Sequence, residues 1–162
     1  VAERSGLTKK TLYYHFKSKD DLVAAYLEAL DQPVLRQYQK WFDEADGDVA
    51  VKIEALFTRF AKASDTPRWR GCGFLRTIAE LANMPGHPAI AAGAAHKKRF
   101  ETWLSEKLES EGVQTPALMA RQVITLLDGA ATVMLIHRDP DYVRSAGKAA
   151  RALVEQAADK PL

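Results

Sequence analysis

Along most of the chain apolar residues recur at three- and four-residue intervals, the period of a helix with one buried stripe. From 19 to about 44 that stripe holds Leu22, Val23, Tyr26, Leu27, Leu30, Val34, Leu35, Tyr38, Trp41 and Phe42, which predicts one long helix with a bend at Pro33. A turn at Ala45, Asp46, Gly47 and Asp48 follows. Val49, Ile53, Leu56, Phe57 and Phe60 then mark a helix ending near Ser64, and residues 65–73 read as a loop. Phe74, Leu75, Ile78, Leu81 and Ala82 give a shorter helix that stops at Asn83. A long helix from 87 to 111 carries Ile90, Ala94, Phe100, Trp103, Leu104 and Leu108 inside, with Gly112 as its left-handed cap.

Pro116 suits a first helical position and opens a helix to about 138. Met119, Val123, Leu126, Leu127, Ala130 and Met134 line one side of it. Ile124, Val133 and Ile136 lie on others, so this helix needs two partners. The last helix, 140–158, offers Val143, Ala146, Ala149, Ala150, Leu153, Val154 and Ala157, a stripe of mostly small residues suited to a close crossing. No stretch reads as a strand, and the fold class is all-α.

Residues 6–22, GLTKKTLYYHFKSKDDL, break this regularity. Gly6 suits a tight turn, Thr8 is a good N-cap, and Leu7 and Leu12 are spaced as a hydrophobic staple. A short helix from 8 to about 15 then turns Leu12 and Phe16 inward, while Lys10, Tyr13, Tyr14 and Lys17 share the outer face. Ser18 caps the next helix, with Asp21 spaced as its capping-box partner and Asp20 suited to the positive helix end. Lys19 opposes the helix dipole in that first turn. A phosphate docked there would reverse the sign of the effect, because the lysine and the free amides would grip it together.

Charge sharpens the contrast. The chain of 162 residues carries a net charge of only +2. Residues 1–19 hold Arg4, Lys9, Lys10, Lys17 and Lys19 against Glu3, a local +4, and the remaining 18 basic and 20 acidic residues leave −2. The nucleic-acid signal is therefore local.

The Gly6-Leu7-Thr8 turn, Leu12, the run Tyr13-Tyr14-His15-Phe16 and the Ser18-Lys19 cap resemble the second half of the helix-turn-helix of the tetracycline-repressor (TetR) family of transcription regulators. The resemblance implies that the chain opens inside the family's second helix, so that residues 1–25 are a DNA-binding domain lacking its first helix. Residues 26–162 would be a helical ligand-binding and dimerisation domain. RGCGFLRTIAELA, His87-Pro88, HKKRFETWL and LLDGA resemble that domain in one branch of the family.

The same resemblance implies that Thr8, Lys9, Lys10, Thr11 and Tyr13 face the major groove, with Tyr14, His15 and Lys19 on phosphates. His15 fits a structural hydrogen bond equally well. A homodimer through helices 116–138 and 140–158 would set two such heads about 34 Å apart on a near-palindromic operator. An apolar or aromatic small-molecule effector is expected among Phe57, Phe60, Phe74, Ile78, Phe100, Trp103 and Leu127, with His87 or His96 as a polar anchor. His96, followed by Lys97, Lys98 and Arg99, also reads as part of a solvated face. Release of a repressor from DNA is the expected mechanism; an activator of the same fold and a helical interaction module without DNA binding stay open.

Composition narrows the rest. An apolar fraction of 47% supports a sizeable core. The lone Cys72 offers no internal disulfide, fits a reducing cytoplasm, and reads as a small packed residue before a reactive thiol. The four histidines and one cysteine lack metal-ligand spacing, and no nucleophile–base pair or Gly-rich phosphate loop points to an enzyme or a cofactor. The longest apolar run, 124–136, is interrupted by Asp128 and is shorter than the ~20 residues of a membrane span.

Overall fold

A computed structural model describes residues 5–6 and 8–158. Leu7, one half of the expected staple, and residues 1–4 and 159–162 lie outside the described residues. The helices bounded at both ends are α1 (Lys9–His15), α2 (Lys19–Asp43), α3 (Val49–Ser64), α4 (Gly73–Glu80), α5 (Pro88–Ser110), α6 (Pro116–His137) and α7 (Asp141–Ala158). The described residues contain no strand, as expected.

Short local bonds set the starts. Thr8 Oγ1 accepts from the Thr11 amide at 3.1 Å, Ser18 Oγ from Asp21 at 3.0 Å, and Asp48 Oδ1 from Val51 at 2.9 Å. Gly112, at φ 76°, follows the end of α5 in the left-handed conformation that glycine adopts without a Cβ penalty. Helix α2 runs unbroken through Pro33. The ring removes the amide that would have bonded the carbonyl of Ala29, but both residues are exposed, so water can take its place.

The main core gathers α3, α5, α6 and α7 with the second half of α2, around Phe57, Ile53, Phe100, Leu104, Val123 and Val154. A second, smaller cluster of Ala24, Leu27, Phe74 and Ala89 joins the first half of α2 to α4 and the start of α5. Helix α2 thus crosses the expected domain boundary at 25/26 without interruption.

The second half of α5 buries Phe100, Leu104 and Leu108 as expected, and only its first half departs from the sequence expectation. Gly93 and His96 are buried and Ala94 is exposed, because Ile78 of α4 presses where a Cβ on Gly93 would stand only 2.6 Å away. Taken whole, α6 is long and apolar enough to cross a membrane, although its longest apolar run alone is not. Here 44% of its most apolar window is buried inside the fold. Its outward side keeps Leu118 and Ile136 exposed, at 50% and 69%.

Candidate functional site

Helix α1 is held at both ends. Thr8 caps it and shares a hydrogen bond with the Thr11 hydroxyl at 2.9 Å, and the Phe16 amide closes it on the carbonyl of Leu12 at 2.9 Å. Leu12 and Phe16 are half-buried on one side. Opposite them Tyr13 and Tyr14 are 64% and 86% exposed, and Tyr14 meets the His15 ring edge-on at 5.2 Å. Of the eight expected contact residues only Thr11 is half-buried; Thr8, Lys9, Lys10, Tyr13, Tyr14, His15 and Lys19 are exposed.

Among the described residues, none of Lys9, Lys10, Lys17 and Lys19 pairs with a carboxylate. The capping box at α2 is half made: Ser18 accepts from Asp21, and no return bond from the Asp21 side chain occurs among the described residues. Asp20 is engaged elsewhere, at 3.3 Å from Nε2 of the buried His87. The other His87 nitrogen, Nδ1, accepts from the Ala89 amide at 3.1 Å and caps α5. A single imidazole therefore ties the first turn of α2 to the first turn of α5.

Further along the same two helices, His96 Nδ1 donates to Asp31 Oδ1 at 2.7 Å, Arg99 Nε donates to Asp31 Oδ2 at 2.9 Å, and Gln32 completes the set at 3.1 Å. His96 is 2% exposed and its ring stacks on Phe74 at 3.7 Å, so it is a core residue and not part of a solvated face. A neutral imidazole can pack on a phenyl ring and still donate one proton. Burial pulls its pKa below the ordinary value, against the opposing pull of Asp31. Burial alone would raise the Asp31 carboxyl, but the bonds from His96, Arg99 and Gln32 outweigh it and hold the pKa below the usual range.

The sign of the pH effect follows. The folded state favours neutral His96, so its contribution is complete above about pH 6.5 and declines as pH falls through the lowered folded value. Asp31 loses its contribution only at still lower pH, below the ordinary carboxylate range. The thermal midpoint should fall between pH 7.5 and 5.5, and His96→Gln should flatten that dependence when the two are compared by calorimetry. An unchanged slope in the variant would remove His96 as the cause.

The seven expected ligand contacts divide. Phe57, Phe60, Phe100, Trp103 and Leu127 belong to the main core. Phe74 lies in the smaller cluster, and Ile78 packs on Gly93, because the short α4 seats on the first half of α5 while the main core forms along its second half. The five that do meet share one packed core, in which Phe100 stacks with Trp103 at 5.7 Å and with Tyr38 of α2 at 4.7 Å. Trp103 also lines a shallow hollow between α2 and α5 beside Leu35 and Gln39.

Sequence reasoning missed Tyr38 as a polar residue. Its phenol is driven well above its ordinary pKa, first by burial and then by Cys72 and Asp128 nearby, so it stays neutral. Asp128 itself bonds Lys97 at 2.5 Å, which joins α6 to α5. The only sequence signal for that pair was an acid interrupting the apolar run of α6.

Known proteins share both the head and the body. The family described as "Bacterial regulatory proteins, tetR family" matches residues 1–26. HTH-type transcriptional regulator YjdC of Escherichia coli (strain K12) is 24% identical over 155 residues, covering 95% of this chain and 80% of that protein. A TetR-family transcriptional regulator from Streptomyces coelicolor superposes with a TM-score of 0.80 at 26% identity, over 98% of this chain and 82% of the other. A TetR transcriptional regulator from Legionella pneumophila shares the fold at 17% identity, with a TM-score of 0.76 over 96% and 82%. Proteins of this family are DNA-binding regulators rather than enzymes. With the capped basic helix at its start and the two-sided α6 in its body, the chain matches the TetR family model over residues 1–26 and is similar to TetR-family transcriptional regulators over nearly its whole length.

Proposed function

We propose that the protein is a homodimeric repressor which a small apolar or aromatic molecule releases from a near-palindromic operator. The observation that carries the DNA contact is the outer face of α1 with the adjoining Lys17 and Lys19, where exposed tyrosines stand among lysines that have no carboxylate partner among the described residues. A solvated structural face usually intersperses both signs, whereas the stretch from Thr8 to Lys19 carries no acidic residue. In this reading Thr8, Lys9, Lys10, Thr11 and Tyr13 meet base edges, and Tyr14, His15 and Lys19 hold the backbone. Residues 1–25 form the reading head and residues 26–162 the sensing and pairing body, with α2 as the shared lever.

Pairing runs through helices 116–138 and 140–158. Leu118, Thr125, Gly129, Thr132 and Ile136 are exposed at helical spacing on α6, and Ser145, Ala149 and Ala152 are exposed on α7. A Cβ added at Gly129 would meet nothing within 4 Å, which leaves room there for a neighbouring helix. The two histidine–aspartate contacts, Asp20 with His87 and Asp31 with His96, supply the transmission: a ligand that shifts α5 must also move α2, and with it the head.

The division of labour within the head is testable against a randomised duplex library. Tyr14→Ala and Lys19→Ala should weaken binding to all sequences alike. Lys10→Ala and Thr11→Ala should relax preference at one or two positions, by about 1–3 kcal/mol of discrimination for a lost base contact. Uniform losses from all four variants would defeat the assignment.

A further inference from the structure

A hollow of about 620 Å³ opens beside the end of α3, between the following loop and the last turns of α6. That volume suits a small organic ligand. Its apolar wall is Trp69, Pro67 and Met134, and its charged residues are Arg70, Arg138 and Asp65.

The two arginines are held in an unusual way. Arg70 Nη1 donates to the carbonyls of Pro67 at 2.6 Å and Trp69 at 3.1 Å, and Arg138 Nη1 donates to that same Trp69 carbonyl at 2.8 Å. Two guanidinium groups thus share the hydrogen-bonding shell of one oxygen, and among the described residues neither pairs with a carboxylate. The shared carbonyl offsets part of the repulsion between these like charges, and an anion placed between them would offset more. Arg138 also sits at φ 58°, the left-handed conformation that glycine fills without strain at a helix end, so bracing the chain there does not by itself require an arginine.

A guanidinium has five donors, and the bonds named occupy a minority of them. The remainder can fork a carboxylate in the planar, two-pronged manner that lysine cannot reproduce. Asp65 offsets one of the two positive charges, which favours a monoanion over a phosphate ester. Trp69 and Met134 offer a flat, polarisable surface for a ring.

We propose that this hollow binds a small aromatic carboxylate, with its carboxylate between Arg70 and Arg138 and its ring against Trp69. As the effector's identity, this rests on the ligand-released reading above. A route to the lever exists: Trp69 stands edge-on to Phe60 at 6.1 Å, Phe60 stacks with Tyr38 at 6.3 Å, and Tyr38 belongs to α2.

Calorimetric titration of the full-length protein with 2-naphthoate and with its neutral amide, 2-naphthamide, tests the site. Naphthoate should bind once per subunit and at least tenfold more tightly than the amide. Arg70→Gln and Arg138→Gly should each weaken naphthoate tenfold or more and leave the amide unaffected, and Arg138→Gly should not lower the melting temperature because glycine relieves the backbone. Equal affinity for acid and amide, wild-type affinity in both variants, or no naphthoate binding at millimolar concentration would each overturn the proposal. Operator binding measured alongside separates the two readings. Naphthoate that binds without loosening the operator sinks effector release and keeps the anion site; intact operator binding with no naphthoate uptake sinks only the site.

Discussion

Raising the salt concentration from about 50 to 200 mM should weaken operator binding by about 10³–10⁵-fold, the loss expected when roughly six to ten phosphate contacts release their counterions. The estimate follows from charge placement rather than total charge. A net charge of +2 spread evenly over 162 residues would produce almost no such dependence. Four lysines on each head, at positions 9, 10, 17 and 19 and without carboxylate partners among the described residues, present eight cations in a dimer. Lys19 sits where the dipole and free amides of α2 add to its pull, so Lys19→Ala should lower the slope of log affinity against log salt by about 0.9 for each subunit's lost contact. Fluorescence anisotropy on a labelled duplex reads both quantities. A shallow slope in the unaltered protein would mean that the lysines do not meet phosphate.

The largest loss of stability should come from Gly147→Val. Gly147 is buried on α7 where that helix crosses α3, and a Cβ placed there would stand 2.7 Å from the Cβ of Phe57 and 3.1 Å from its Cγ. Those atoms lie at the root of a fully buried ring and cannot rotate aside, so the two helices must separate. Overpacking of this kind costs about 1–3 kcal/mol, a fall of about 2–4 °C in melting temperature for each kcal/mol in a chain of this size. Gly129→Ala is the internal control. With open space at that position, the monomer fold should gain up to about 1 kcal/mol of helix propensity. A Gly147→Val melting temperature equal to that of the unaltered protein would show that the crossing is looser than the geometry requires.

These two glycines also mark what the sequence made legible and what it did not. Helix starts were readable because a cap acts over three residues: Thr8, Ser18 and Asp48 each accept from an amide three positions on. The stripe of α3 was readable for the same reason of locality. Which glycine admits a neighbour and which leaves a face open depends on helices far apart in sequence, and no local pattern carries that.

His96 shows a different failure. The run His96-Lys97-Lys98-Arg99 looks solvated by composition, yet His96 stands on the buried stripe with Ala89, Gly93, Phe100, Leu104 and Leu108. Treating histidine as neutral when reading the helical period would have placed it. The divided aromatic set has no such remedy, because the stretch of α5 that receives Phe74 and Ile78 is fixed by how the short α4 seats against Gly93. The head was the most legible part, since its cap, cations and exposed rings all fall within a dozen residues.

The measurement that bears most directly on the whole account is hydroxyl-radical footprinting of the full-length protein on its selected operator. Two protected patches should appear on one face of the duplex, related by a dyad and separated by about one helical turn, or 34 Å. Gly129→Arg, which plants a charge in the proposed pairing face, should leave an intact helical monomer that protects neither patch at the same concentration. A single unpaired patch from the unaltered protein, or two patches that survive Gly129→Arg in a monomer, would contradict a dimer that reads DNA with two heads.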